Sequence, residues 1–262
     1  MATSMTSAAT RTPGFIPLSD RRAAAHSPYG LPIIDNCIDC KLHNSSFFCT
    51  LAQESMQDLD RVKHSHCFPE GSVVFLEGQD ARGVYVLCQG RVKMMTTNAD
   101  GKSLILKIAE PGTILGLHSV ISGRPHEVTV ETLQPCQLAF IRREDFLRFL
   151  NAHGDACLRA AEHLARDCQS AYEVIRSIGL SHSVSEKLAR LLLQWSTDGR
   201  VVDGVIRMKL ALTHEEMAQL IGTSRETVTR TLSEFKKQRL LELNGSTLLI
   251  KNRAALERMV VV

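Results

Sequence analysis

Residues 212–235, LTHEEMAQLIGTSRETVTRTLSEF, constrain the fold more than any other stretch, because their spacing predicts two short helices joined by a tight turn. Thr213 is placed to cap the first helix, and Glu216 three residues on completes a capping box. Met217, Leu220 and Ile221 form one apolar stripe, and Gly222 stops the helix. The second helix starts near Thr223 or Ser224 and lines up Val228, Leu232 and Phe235 along one face. Its opposite face carries Arg225, Glu226, Thr229 and Arg230, close to the helix start. Arg donates in bidentate fashion to guanine, Glu accepts from cytosine, and a Thr methyl touches the thymine methyl. The pattern implies a helix-turn-helix whose second helix enters the major groove of double-stranded DNA. A helical hairpin with a merely solvated polar face is the bland alternative.

The run TSRETVTRTLSEFKKQRLL resembles the recognition helix of the Crp/Fnr transcription regulators. The resemblance implies that Arg225, Glu226 and Arg230 read a TGTGA-like or TTGAT-like half-site, with Thr223, Ser224 and Thr229 beside them. Thr229 differs from both main branches, which have Ser or Gly there. Leu240 to Leu243 and Thr247 to Ile250 flank Asn244-Gly245, a strong hairpin signal, and this resembles the family's wing.

The 262 residues suggest two domains plus tails. The net charge of +3 sits unevenly. Residues 179–262 hold thirteen Lys/Arg against nine Asp/Glu, so the basic part is the one expected on phosphate. No apolar run approaches the ~20 residues of a membrane span, and no secretory signal is visible, which points to a cytoplasmic protein. Residues 1–30, poor in acidic groups and without periodicity, read as a disordered tail.

From 52 to 150 short alternating apolar runs are separated by Gly-containing turns, as in Gly71 to Gly78 and Val84 to Gly90, and argue for a β-barrel or jelly roll. VYVLCQGRVKMM and IAEPGTILGL resemble the family's effector domain, related to cyclic-nucleotide-binding domains. The turn Asn98 to Gly101 and the loop Ser122 to Pro125 are each expected to close a hairpin and to be candidate contacts for RNA polymerase. Where cyclic-AMP-binding members grip the cyclic phosphate, the corresponding residues are Leu117, His126 and Glu127, and a carboxylate there repels phosphate. Arg124 nearby keeps a nucleotide as the alternative signal.

Cys37, Cys40 and Cys49 form a C-x2-C-x8-C group in a polar segment, 31–51, ahead of the barrel. Soft thiolates so spaced suit an iron-sulfur cluster or zinc. The resemblance to the oxygen-sensing Fnr branch implies a 4Fe-4S cluster with Cys136, in QPCQLAFI, as fourth ligand. The branch has a shorter gap before its third cysteine, but lengthening a loop costs little. His43 as a ligand, zinc or no metal, a thiol–disulfide switch, and Cys136 as a small core residue stay open. Cys67 and Cys88 read as structural.

Cys157, Ala161, Leu164, Cys168, Ala171, Ile175 and Ile178 repeat at 4-3 spacing over 151–180, a coiled-coil seam. In the family a long helix here pairs two subunits. A two-fold homodimer implies an inverted-repeat operator. An enzyme using Cys37 and Cys40 as a redox pair lacks a thioredoxin-like context, so no catalysis is expected. The expected architecture is α+β: a cyclic-nucleotide-binding-like barrel (52–150), a dimerisation helix (151–180) and a winged helix-turn-helix domain (181–262).

Overall fold

The computed structural model describes residues 27–38, 40, 49–180, 183–202, 205–210 and 212–260, excepting the side chains of 177–180 and 198. His43 and residues 1–26 of the expected tail lie outside the described residues. The chain enters through helix α1 (Gln53–Val62) and strands β1 (His64–Phe68), β2 (Val73–Phe75), β3 (Gly83–Gln89), β4 (Val92–Thr97), β5 (Ser103–Ala109) and β6 (Ile114–Leu115). Helix α2 (Leu117–Ser122), strands β7 (Thr129–Thr132) and β8 (Cys136–Arg142), and helices α3 (Arg143–Ala152) and α4 (Gly154–Leu180) follow. The last part comprises α5 (Val184–Trp195), β9 (Arg200–Val202), β10 (Val205–Lys209), α6 (His214–Ile221), α7 (Arg225–Lys237), β11 (Leu241–Asn244), β12 (Thr247–Ile250) and α8 (Arg253–Val260).

Two antiparallel sheets, ordered β1-β8-β3-β6 and β2-β7-β4-β5, make the barrel. Phe75, Leu87, Val92, Leu115, Val130, Cys136 and Leu138 fill the space between them. The alternate residues of the same strands, Val84 and Val86 on β3 and Ala139 and Ile141 on β8, turn outward onto Met56, Leu59, Phe146, Phe149 and Ala156. Strand side chains alternate between faces, so one sheet serves two cores, and each residue's parity decides which core receives it.

The Asn98 to Gly101 turn closes the β4–β5 hairpin, with Gly101 N–H donating to Asn98 O at 3.0 Å. The loop from Ser122 closes no hairpin. Residues 117–122 form α2 instead, ended by Gly123 in the left-handed region at φ 71°, and an L side chain there would be strained.

Helix α4 is fixed to the barrel by His163, which is buried. Ile114 N–H donates to its Nε2 at 3.0 Å, so the ring proton resides on Nδ1 and faces Asp167 at 3.1 Å. Lys107 donates to the same carboxylate at 2.7 Å. Burial pushes the Asp167 carboxyl up, but the His163 and Lys107 bonds outweigh it and hold its pKa at about 2.

The C-terminal domain packs around Leu188, Leu192, Met217, Val228, Leu232, Phe235, Leu248 and Leu256. Ile108 and Leu133 of the barrel lean on that core, and Lys93 lies 2.9 Å from Glu131 and 3.8 Å from Glu216.

Candidate functional site: a recognition helix and a four-cysteine recess

The capping box forms as its spacing predicts: Glu216 N–H donates to Thr213 Oγ1 at 3.2 Å and Thr213 N–H donates to Glu216 Oε2 at 2.8 Å. Gly222 closes α6 at φ 69°. Ser224, rather than Thr223, caps α7 by accepting from Thr227 N–H at 3.3 Å. Val228, Leu232 and Phe235 are buried, and Arg225, Glu226, Thr229 and Arg230 are exposed on the opposite face. Hydrogen bonds to Glu226 from its own backbone N–H and from Ser224, with the Arg225 charge, hold its carboxyl below the usual range. It is therefore an ionised acceptor at a helix N-terminus, where negative charge is favoured.

His214, which sequence reading passed over, stands 2.9 Å from Thr229 Oγ1. The Thr229 hydroxyl meanwhile donates to Arg225 O at 2.9 Å. With the hydroxyl engaged within the domain, the γ-methyl is what Thr229 presents outward. Strands β11 and β12 pair through Asn244↔Thr247, with Gly245 at φ 60° in the turn, so the wing hairpin is present and its loop is Gly245-Ser246.

The exposed apolar face of α4 departs from the expected seam. Leu158, Tyr172 and Ile175 are 58%, 61% and 64% exposed, and Ala161 and Cys168 share their face. Leu164 is not on it, since it packs against its own barrel's outer core. Ala171 is exposed, and the Ile178 side chain lies outside the described residues. The observed stripe therefore runs through positions 158, 161, 165, 168, 172 and 175. At every other step it lies one residue C-terminal to the expected seam. The 3.5-residue repeat alone does not distinguish a and d pairs when both neighbours are small or apolar.

The N-terminal segment crosses the outer face of β8. Ile34 N–H donates to Gln137 Oε1 at 2.9 Å, and Gln137 Nε2 donates back to Ile34 O at 2.8 Å. A buried side-chain amide thus pairs with the chain as a strand would. Three residues on, Cys37 N–H donates to Asp60 Oδ1 at 2.9 Å, and Lys63 Nζ donates to Cys37 Sγ at 3.1 Å. Burial works against the Lys63 charge, yet its bonds to Asp60, 2.6 Å away, and to Cys37 hold its pKa above the ordinary value.

Cys37, Cys40, Cys49 and Cys88 line one narrow recess, partly open to solvent, together with Ile34, Leu59, Lys63 and Ala139. Burial, with the neighbouring Cys88, Cys37 and Cys40, pushes the Cys49 thiol up to about 12. Burial also pushes Cys88 to about 12. Among the described residues no disulfide is formed, and no three His, Cys, Asp or Glu converge on the point one ion would take. Soft sulfur donors of this kind suit an iron-sulfur cluster or zinc alike.

Cys136 is not in this recess. Its sulfur lies between the sheets, donating to Gln134 O at 3.1 Å and Arg91 O at 3.3 Å. The parity of β8 is the reason: 136 and 138 face inward, and 137, 139 and 141 face the helices. Cys88, expected to be structural, has the outward parity of Val84 and Val86. That alternation in VYVLC was the available signal.

Inside the barrel, Leu117 and His126 are buried and Glu127 is exposed. The His126 ring stacks on Phe75 with centroids 3.8 Å apart, and its Cε1 lies 2.9 Å from where a Cβ on Gly116 would stand. Burial lowers its pKa, so the ring is held neutral.

Comparison with known proteins divides the chain along the same lines. Residues 65–153 match the family profile of the cyclic nucleotide-binding domain, and residues 186–259 that of the Crp-like helix-turn-helix domain. The cAMP-activated global transcriptional regulator CRP of Pasteurella multocida is 26% identical over 188 residues, spanning 71% of this chain and 90% of that protein. The CRP-like cAMP-activated global transcriptional regulator of Mycobacterium tuberculosis is 28% identical over 192 residues, spanning 73% of this chain and 85% of its own. FixK2 from Bradyrhizobium japonicum shares the fold with a TM-score of 0.67 at 21% identity, over 77% of this chain and 98% of that one.

Proposed function

The chain belongs to the Crp/Fnr family of DNA-binding transcription regulators, and on that footing we propose that its DNA binding answers to a thiolate-held iron-sulfur cluster sensing oxygen, nitric oxide or redox state. The observation that carries the reading is the gathering of Cys37, Cys40 and Cys49 in one recess, with a fourth cysteine beside them. When bound, such a cluster supplies a centre whose stability depends on oxidants. The protein's own part is to hold the ligands. Asp60 fixes Cys37 through its backbone N–H, and Gln137 fixes the segment leading to it.

Two other signals compete. A thiol–disulfide switch would draw on the same thiols, Cys37 and Cys40 among them. A cyclic nucleotide, the signal named for the curated relatives, needs a cation for its phosphate. Here a neutral His126 ring and the apolar Leu117 occupy the corresponding places.

At the DNA end, Arg225, Glu226, Thr229 and Arg230, flanked by Thr223 and Ser224, read one half-site per subunit. Two copies joined along α4 present two such helices to an inverted repeat, about 34 Å apart. The Asn98 to Gly101 turn and the loop from Ser122 to Pro125 are exposed contacts for RNA polymerase. The test is to purify the protein without air and measure iron, acid-labile sulfide, zinc and the visible spectrum before and after admitting oxygen. About four irons and four sulfides per chain, with an absorption band that bleaches in air, is the expected result. Zinc alone, or no metal, refutes cluster sensing and returns the question to the thiols and the barrel.

A further inference from the structure

We propose that Cys88 on β3, and not Cys136 on β8, supplies the fourth thiolate to Cys37, Cys40 and Cys49. The inference rests on the reading that these three hold a metal centre.

Cys88, at the irregularity in the β3–β8 pairing between Leu87 and Gln89, packs on the recess side. Val84 and Val86 belong to the outer core, and Cys88 packs against it with Cys37 and Cys49. The recess is lined by all four sulfur-bearing residues, together with Val86, Ala139 and Ile141 from the same sheet face. The Cys88 S–H donates to Val86 O over a long 3.6 Å, and its sulfur also has a hydrogen bond with the Ala139 backbone, so little is lost when its proton leaves and a metal takes the sulfur.

Cys136 is unsuited on three counts. It faces the inter-sheet core, on the other side of β8 from the recess. Its S–H donates to two carbonyl oxygens, so a thiolate there would bring a negative charge against both acceptors. Its sulfur also lies 2.4 Å from where a Cβ on Gly90 would stand, so that side of it is filled by the β3–β4 turn.

Charge supports the same assignment. Four thiolates around a metal centre leave surplus negative charge, and buried charge needs a partner. Lys63, whose side chain is 6% exposed, lines the recess and donates to Cys37. The Cys136 sulfur donates to the carbonyl oxygens of Arg91 and Gln134, neither of which balances a negative charge.

The experiment compares the full chain with its Cys88→Ser and Cys136→Ser variants after anaerobic loading with ferrous iron and sulfide. Bound iron, sulfide and the visible spectrum are read, and a thermal melt of each unloaded protein serves as the folding control. Because changing a residue that merely orients a metal ligand already costs roughly 10- to 100-fold in metal affinity, Cys88→Ser should retain iron at least about tenfold less well than the parent. Cys136→Ser, which keeps a donor for the two carbonyls, should match the parent. Loss of iron from Cys136→Ser with an unchanged melt, or full retention by Cys88→Ser, overturns the assignment while leaving the cluster reading intact. A parent chain that takes up no iron overturns both.

Discussion

Gln137→Leu tests how the cysteine segment is held. The Gln137 side chain is fully buried, yet its amide serves the backbone of Ile34 in both directions, at 2.9 and 2.8 Å. Leu has nearly the same volume and fills the space without either bond. At about 1 kcal/mol of net stabilisation for each hydrogen bond, the segment loses about 2 kcal/mol of docking energy. That corresponds to a roughly thirtyfold rise in its open population. Amide hydrogen exchange in the metal-free protein reads this directly: residues around Ile34 and Cys37 should exchange roughly thirtyfold faster. Strands β3 and β8 should stay protected, because an apolar side chain suits their buried face. The loosened segment should also bind metal more weakly. Unchanged exchange at Ile34 with the substitution in place would refute the idea that this amide positions Cys37. A collapse of protection throughout β8 would show instead that Gln137 holds the sheet itself.

Arg230→Ala should cost about 1 to 3 kcal/mol of operator binding and relax specificity at one base pair, measured by fluorescence anisotropy on single-substitution operators. Weakening that is uniform across all sequences would assign Arg230 to phosphate. For Asp167, the folded carboxyl at about 2 lies below its ordinary 3.8, so its stabilisation is present above about pH 4 and is lost as pH falls through about 2. The shift corresponds to roughly 2 kcal/mol at neutral pH. Asp167→Asn should therefore lower the melting temperature at pH 7 and flatten its decline between about pH 4 and 2. A variant as acid-sensitive as the parent would exclude this pair as the source.

The helix-turn-helix was legible because all its determinants are local. Thr213 and Glu216 cap one helix, Gly222 ends it, and a 3.6-residue stripe through Val228, Leu232 and Phe235 fixes the buried face of the next. The barrel was legible as a class, from alternation between turns. Which face of a strand meets which core was not, because that depends on what covers the sheet. Helices α1, α3 and the start of α4 cover the outer face, with Ile34 and Cys37 beside them, and nothing adjacent in sequence to Cys88 or Cys136 reports it. Leu164 illustrates the same limit. Its spacing fits a seam, but the barrel reaches it first. Gln137 and His163 are buried polar groups whose partners, Ile34 and Ile114, lie 103 and 49 residues away, a separation that periodicity does not register.

How a change at the cysteines reaches the DNA is constrained by what lies next to them. Cys49 stands three residues before Ala52, whose N–H donates to Asp155 at 2.9 Å, and Ser55 donates to the same carboxylate at 2.8 Å. Asp155 opens α4, the helix that carries the exposed apolar stripe and leads to the DNA-binding domain. His153, at the junction of α3 and α4, lies 3.1 Å from both Ser55 and Asp58 of α1. The cysteine segment and the start of the long helix thus meet at one hydrogen-bonded knot, and the Cys49 end cannot shift far without altering it. The contact between the DNA-binding domain and the barrel is weaker in polar terms. Lys93 is 3.8 Å from Glu216 Oε1, while Oε2 of the same carboxylate completes the capping box. Lifting the domain gives up that long contact and the apolar patch at Ile108 and Leu133, but leaves the recognition helix intact. Two placements of an unchanged reading head, differing by a modest interface, are the kind of pair a ligand can re-weight through differential affinity. On the function proposed above, the signal would act by favouring one setting of these Asp155 contacts over another.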